Sequence, residues 1–506
     1  MLFPTFTFAV FLIVVLTVGW ALYQQPLRWK LFMLAASYVF YGWWDWRFVG
    51  LIMASTVVNQ ALATAAARAP NPRAARIAVG AAVAANLGVL GFFKYYGFFV
   101  DSVSDLFETV GMGANLPLLR IILPVGISFF TFQAMSYVID VHRRVIPPAS
   151  ALDFAVYLAF FPQLVAGPIV RASEFLPQLA ARRDPYDVDL TRAAVLIGSG
   201  LFKKVVISSY LAEAIVDDVF ALPDQHSALE VLVGIYGYAI QIYADFSGYS
   251  DIAIGVALLL GFRFPENFDR PYIATSIQDF WRRWHMSLSR WLRDYLYISL
   301  GGNRGGPARR DRNLFLTMLL GGLWHGAAWT FVFWGAYHGI GLLVERRVLD
   351  RLVLRRAAAD TGADDPRTAA AGEPTPTDGG GRAAVRRTAV AERRSERNRR
   401  IVGRLVTFHF VCVGWVFFRA DSMGTAFDVL GRLVAFGAAP AVTWVLVLTI
   451  AAALVAQYVP RVGLANVQSD LSRLPVGVLA IGFGVWLVVI DLLGPEGVAP
   501  FIYFQF

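Results

Sequence analysis

Apolar runs of about 18 or more residues recur along most of this chain, and each is long enough to cross the roughly 30 Å hydrocarbon core of a bilayer as a helix. They fall near 3–23, 31–46, 48–67, 77–99, 119–139, 152–170, 193–216, 228–260, 314–344, 401–419, 441–458 and 475–493. The runs are continuous, not alternating ten-residue segments, which argues against a transmembrane barrel. Over 506 residues, 57% are hydrophobic and only 16% charged. Soluble domains carry about 25% charged residues, so a soluble enzyme and a disordered chain are both excluded. The expected fold class is an all-α polytopic membrane protein with about 11–13 transmembrane or re-entrant helices.

Loop charge sorts by side. Arg28 and Lys30, then Arg68, Arg73 and Arg76, then Arg143 and Arg144, then Arg171, Arg182 and Arg183 alternate with loops carrying Asp101, Asp105 and Glu108, and Asp217, Asp218 and Asp224. By the positive-inside rule the basic loops are cytoplasmic and the N-terminus is outside. Run 152–170 holds Pro162 and Gly167-Pro168 and has basic loops at both ends, so it reads as re-entrant. Run 314–344 carries Gly321-Gly322, an expected interruption. The first run has no preceding basic residue and no small-residue cleavage site, and reads as a retained helix.

Residues 1–350 form one membrane core, which 401–506 complete. Between them, 351–400 hold 12 Arg against 7 acidic residues and almost no large apolar ones. That composition predicts a disordered cytoplasmic linker, whose end at Arg386–Arg400 suits anionic lipid or a partner, or serves only as a topological anchor. The formal charge of +9 belongs with the membrane and its lipids, not with nucleic acid. The single cysteine, Cys412, forms no intramolecular disulfide and reads as a small buried hydrophobe.

Three loci carry polar chemistry. In 263–313, Trp281, Trp284 and Trp291 interleave with Arg282, Arg283, Arg290 and Arg293. Ser276 can cap a helix running to about Leu300, which would place Arg282, His285 and Ser289 on one face. The segment is either an amphipathic interfacial helix or a cytoplasmic vestibule whose arginines hold an anionic donor. The second locus is Gly321-Gly-Leu-Trp-His-Gly-Ala-Ala-Trp329, which sets His325 between Trp324 and Trp329 in a strongly apolar run. An ionisable group at that depth is costly and marks function, unless a neighbouring helix's carbonyl satisfies it. His338 lies thirteen residues on, roughly 220° round a continuous helix, so a metal pair is not expected. The third locus, Tyr243 to Asp251, includes Asp245, Ser247, Tyr249 and Asp251, which either tie helices together or line a polar tunnel. No phosphate-binding loop, nucleophile elbow or dinucleotide fingerprint occurs.

Four stretches together resemble the membrane-bound O-acyltransferases. They are Phe161-Pro-Gln-Leu-Val-Ala-Gly-Pro-Ile169, Asp245-Phe-Ser-Gly-Tyr-Ser-Asp251, Asp279-Phe-Trp-Arg-Arg-Trp-His-Met-Ser-Leu-Ser-Arg-Trp-Leu-Arg-Asp294 and Leu323-Trp-His-Gly326. The likeness is greatest to the branch that O-acetylates alginate in bacteria, with the D-alanylating teichoic-acid branch more distant. It implies a ring of tilted helices around a central catalytic funnel. It also implies transfer of an acyl group, most often acetyl, from a cytoplasmic thioester to a hydroxyl, with no bound cofactor and with acyl-CoA or acyl-carrier protein as donor substrate. His325 matches the family's invariant histidine and His285 its second polar position. The partners implied are an extracytoplasmic hydrolase-like protein and a polysaccharide acceptor, at the bacterial cytoplasmic membrane. A transporter or flippase for an acyl-carrying or lipid-linked substrate, using Asp245, Asp251 and His325 as its path, is the competing expectation. The chain shows no internal repeat of the kind transporters carry.

Overall fold

A computed structural model describes residues 1–112, 119, 121–362 and 380–495, and every regular element among them is helical. The starts follow local chemistry. Thr5 Oγ1 accepts from Phe8 N, Asn71 Oδ1 from Ala74 N, and Ser150 Oγ from Asp153 N, each meeting an N–H that the first helical turn leaves unpaired. Ser227 and Glu230 close a capping box at the head of helix Ala228–Leu259.

Among the described residues, five helices are long and apolar enough to cross a membrane: Arg47–Arg68, Pro72–Thr109, Leu190–Ala221, Glu396–Arg419 and Val476–Leu493. Phe6–Ala21 and Trp444–Ala456 are shorter and equally apolar. Val476–Leu493 buries almost nothing, and its Val478, Ile481, Val485 and Leu492 point outward. Such a surface is stable only where lipid replaces water. The chain is a polytopic α-helical membrane protein.

Inside this apolar shell runs Ala228–Leu259, a 32-residue helix buried along most of its length. Its neighbour Leu190–Leu201 packs so closely that a Cβ on Gly200 would stand 2.6 Å from Gly248 O. Small residues at such a crossing let backbones meet without side chains between them. Where Leu190–Leu201 continues as the π-helical turn Phe202–Ser208, two adjacent lysines face the central helix. Lys204 pairs with Asp245, and Lys203 pairs with Asp251 and reaches Ser247 Oγ at 3.2 Å. The acids of the third sequence locus thus tie two helices together. Tyr249 adds to the packing by stacking on Phe3, with ring centroids 4.6 Å apart.

The structure departs from the sequence reading in several places. Run 314–344 does not break at Gly321-Gly322. Both glycines are helical in Pro307–His325, and the break comes at Gly326, before Trp329–Gly362 turns back. The result is a hairpin. A Cβ on Gly322 would meet Phe331 O at 2.4 Å, and one on Gly335 would meet Met318 O at 2.6 Å, so glycine is required where its arms touch. Nor does one helix run from Ser276 to Leu300. Ser276 caps Ile277–Trp281 as expected, but the chain breaks there, and His285 adopts a left-handed φ of 42° before Met286–Trp291. Arg282 and His285 therefore share no helical face. Run 152–170 divides into Ala151–Ala159, the turn Phe161–Leu164 and extended chain. A nine-residue helix rises only about 14 Å, too little to cross. Of the linker, 363–379 lies outside the described residues. Its two ends are not irregular, because they continue helices Trp329–Gly362 and Gly380–Arg419. Cys412 is buried and free.

Candidate active site

The hairpin carries His325 at the end of its first arm, and Gly326 is extended, so no further turn covers the ring. Aromatic rings enclose it edge-on. Centroids stand 5.0 Å away at Trp324, 5.1 Å at Trp334 on the returning arm and 5.3 Å at Phe418. His338 also packs on Trp334, 4.8 Å from it. The hairpin voids the rotation argument for a continuous helix, since it brings both histidines against one indole. His338 packs among Trp281, Phe410 and Phe280.

His325 is buried and lines a cavity of about 1000 Å³. Trp281, Met286, Leu292, Met318 and Trp334 make its walls, and Arg282, Arg290, Arg293 and Arg346 stand along it. Three of the four arginines expected to bind donor are therefore at the cavity. The fourth, Arg283, is not among its lining residues: Nε donates to Asp279 Oδ1 at 2.8 Å, and its guanidinium pairs with Asp269. Arg282 makes no side-chain hydrogen bond or ion pair among the described residues, and so is the guanidinium with most capacity for a phosphate. Arg290 leans on Glu174 at 3.5 Å, and Arg293 donates to Asp294 at 2.6 Å. Burial works against the Asp294 carboxylate, but the Arg293 and Arg171 guanidiniums outweigh it and hold its pKa below the usual range. Arg346 comes from the returning arm and is shared with Asp311 at 3.3 Å. Sequence spacing could not reveal it, because it reaches the cavity only through the hairpin.

His285 is buried beside the cavity, not on its wall. Its ring lies 4.7 Å from Phe246 and 6.2 Å from Trp324, the indole that also touches His325. Trp329, by contrast, is exposed and rests against Phe98 at 5.4 Å. It is not a wall of the site.

One set of residues escaped the sequence reading. Lys94 Nζ donates to Trp324 O at 2.7 Å and to His325 O at 2.9 Å, and Tyr95 OH donates to Leu323 O at 2.7 Å. These are the last three carbonyls of the histidine's helix, left without amide partners because the helix stops. The π-helical turn Gly91–Tyr95 supplies both side chains. The available signal was a lone lysine inside the apolar run 77–99. Lys94→Met is expected to lower the turnover number roughly tenfold or more, since small misplacements of a reacting group are costly, with little change in donor KM. Steady-state kinetics on the folded variant check this, and an unchanged turnover number would show that Lys94 does not fix His325.

Comparison with known proteins agrees with this geometry. Residues 119–355, which contain both histidines and all the cavity arginines, match the membrane-bound O-acyltransferase family. The probable alginate O-acetylase AlgI of Azotobacter vinelandii is 42% identical over 82% of this chain and 74% of its own length. The peptidoglycan O-acetyltransferase of Helicobacter pylori is 34% identical over 81% of this chain and 75% of its own. The teichoic acid D-alanyltransferase of Streptococcus thermophilus is 32% identical over 44% and 56%. A chain so alike over most of its length, with a buried histidine lining a cavity that arginines also line, belongs to the membrane-bound O-acyltransferase family and is an O-acyltransferase.

Proposed function

We propose that this protein takes an acetyl group from a cytoplasmic thioester, acetyl-CoA or an acetylated carrier protein, and passes it across the bacterial cytoplasmic membrane toward hydroxyls of an exported or cell-surface polysaccharide. An extracytoplasmic hydrolase-like partner receives or relays the group, and the N-terminus lies outside. The observation that carries this reading is the cavity itself, which four arginines and the buried His325 line. The relatives named for acetylation of alginate and of peptidoglycan favour acetyl and a polysaccharide.

His325 acts as general base. It takes the proton of the incoming hydroxyl as the oxygen attacks the thioester carbonyl. When the tetrahedral intermediate collapses, the carbon–sulfur bond breaks, and the proton returns from His325 to the departing thiolate. The histidine is unchanged over the cycle, and the thioester supplies the driving force. Arg282, Arg290 and Arg293, joined by Arg346, hold the phosphates that CoA and the phosphopantetheine arm both carry. The aromatic shell around His325 limits access of water and with it hydrolysis of the thioester. A transport path gains little support, since the acids it would use, Asp245 and Asp251, are engaged by Lys204 and Lys203.

Purified protein in nanodiscs is expected to release free thiol from acetyl-CoA or from acetylated carrier protein when an acceptor is supplied. Deleting the gene is expected to lower the base-labile acetate on the cell's exported polysaccharide. Thiol release with unchanged polysaccharide acetate would refute the acceptor class, and donor moved across the bilayer with its thioester intact would refute the reaction.

A further inference from the structure

The hydrogen bonds around His285 fix which of its ring nitrogens carries the hydrogen. Its Nδ1 lies 3.1 Å from Asn267 Oδ1. An asparagine amide can be turned either way, so the contact alone does not say which atom donates. Here the turn is decided, because the backbone N–H of Ser287 points at the same Oδ1 from 3.2 Å. A backbone N–H only donates, so the atom facing it must be the carbonyl oxygen. Ser287 Oγ donates to that oxygen at 2.9 Å and itself accepts from Ile169 N at 3.0 Å. Asn267 Nδ2 faces Ser250 Oγ at 3.2 Å, as a donor should. Reversing the amide would set N–H against N–H. Asn267 O also accepts from Met286 N at 2.9 Å, so one residue grips both the His285 ring and the chain that follows its left-handed turn.

With Oδ1 an acceptor, His285 Nδ1 must be the donor. The neutral ring then carries its lone pair on Nε2, which is buried and has no hydrogen-bond partner among the described residues. We propose that Asn267 is a positioning residue that holds His285 as the Nδ1–H tautomer, so that His285 serves transfer as a hydrogen-bond acceptor at Nε2 and not as a donor to the thioester oxygen. This rests on the reading of His285 and His325 as the two histidines of the reaction. The reacting hydroxyl gives its proton to His325, and whatever group meets Nε2 of His285 must bring a donor hydrogen. Stabilisation of the developing oxyanion falls to other N–H groups.

The test is magic-angle-spinning ¹⁵N spectroscopy of the full-length protein in lipid, labelled at its six histidines and assigned with His285→Gln. The wild type is expected to show a protonated Nδ1 and an unprotonated Nε2 at His285. Asn267→Asp keeps an acceptor oxygen and is expected to keep that pattern, with turnover within a few-fold of wild type. Asn267→Leu is expected to lose the pattern and at least tenfold in turnover number at unchanged donor KM. A hydrogen on Nε2 in the wild type overturns the proposal, as does an unaltered spectrum in folded Asn267→Leu. If the tautomer stands but His285→Gln transfers acetyl normally, the wiring is right and the catalytic reading of His285 is the part that fails.

Discussion

His325→Ala is expected to lower acetyl transfer by roughly 10²- to 10⁴-fold, the usual worth of a positioned general base. Donor KM is expected to change little, because the donor is proposed to be held by other residues, the arginines that line the cavity. His325 is 4% exposed and ringed by Trp324, Trp334 and Phe418, none of which can act as a base in its place. Thiol release and product acetate, measured on wild type and variant that elute identically by size exclusion, decide it. Equal turnover in the two would keep the enzyme class and move the catalytic base away from His325.

Gly322→Ala is expected to be strongly damaging. The added carbon would sit 2.4 Å from Phe331 O and 2.8 Å from Gly335 Cα, both backbone atoms that no rotamer change can move. Overpacking in a closed core typically costs 1–3 kcal/mol, occasionally more, and here the only relief is to part the arms of the hairpin. Parting them would carry His325 away from Trp334, so activity should fall together with stability. The control is Gly484→Ala, where nothing lies within 4 Å and alanine should be neutral or gain the roughly 0.8–1 kcal/mol of its better helix propensity. Thermal unfolding in detergent should show a clear fall for the first and none for the second. A Gly322→Ala protein with unchanged melting would mean that the arms are not in the contact described.

What the sequence determined is what depends on near neighbours and on solvent. Apolar runs become helices because a buried backbone must satisfy its own hydrogen bonds, and Thr5, Asn71, Ser150, Ser227 and Ser276 mark starts because a side-chain oxygen three residues away is enough. The resemblance placed His325, and the motif around it, on the same footing. Two inferences failed where a local rule was carried too far. Continuous helical rotation separated His325 from His338 and joined Arg282 to His285, but a turn at Gly326 and a left-handed residue at His285 reset both relations.

Tertiary structure alone decided the rest, because those choices are set by contacts distant in the chain. Gly322 needs Gly335 opposite it before the hairpin can close, and only then does Arg346 reach the cavity. Arg283 and Arg282 are adjacent and chemically alike, yet Asp269 and Asp279 take the first and leave the second to the cavity. Asp245 and Asp251 could have lined a tunnel or joined helices, and Lys203 and Lys204 made them joints. Lys94 is about 230 positions from the carbonyls it caps, and the interaction becomes strong only because both ends are shielded from water. A sequence states which groups are costly to bury, and the fold states which partner makes each burial tolerable.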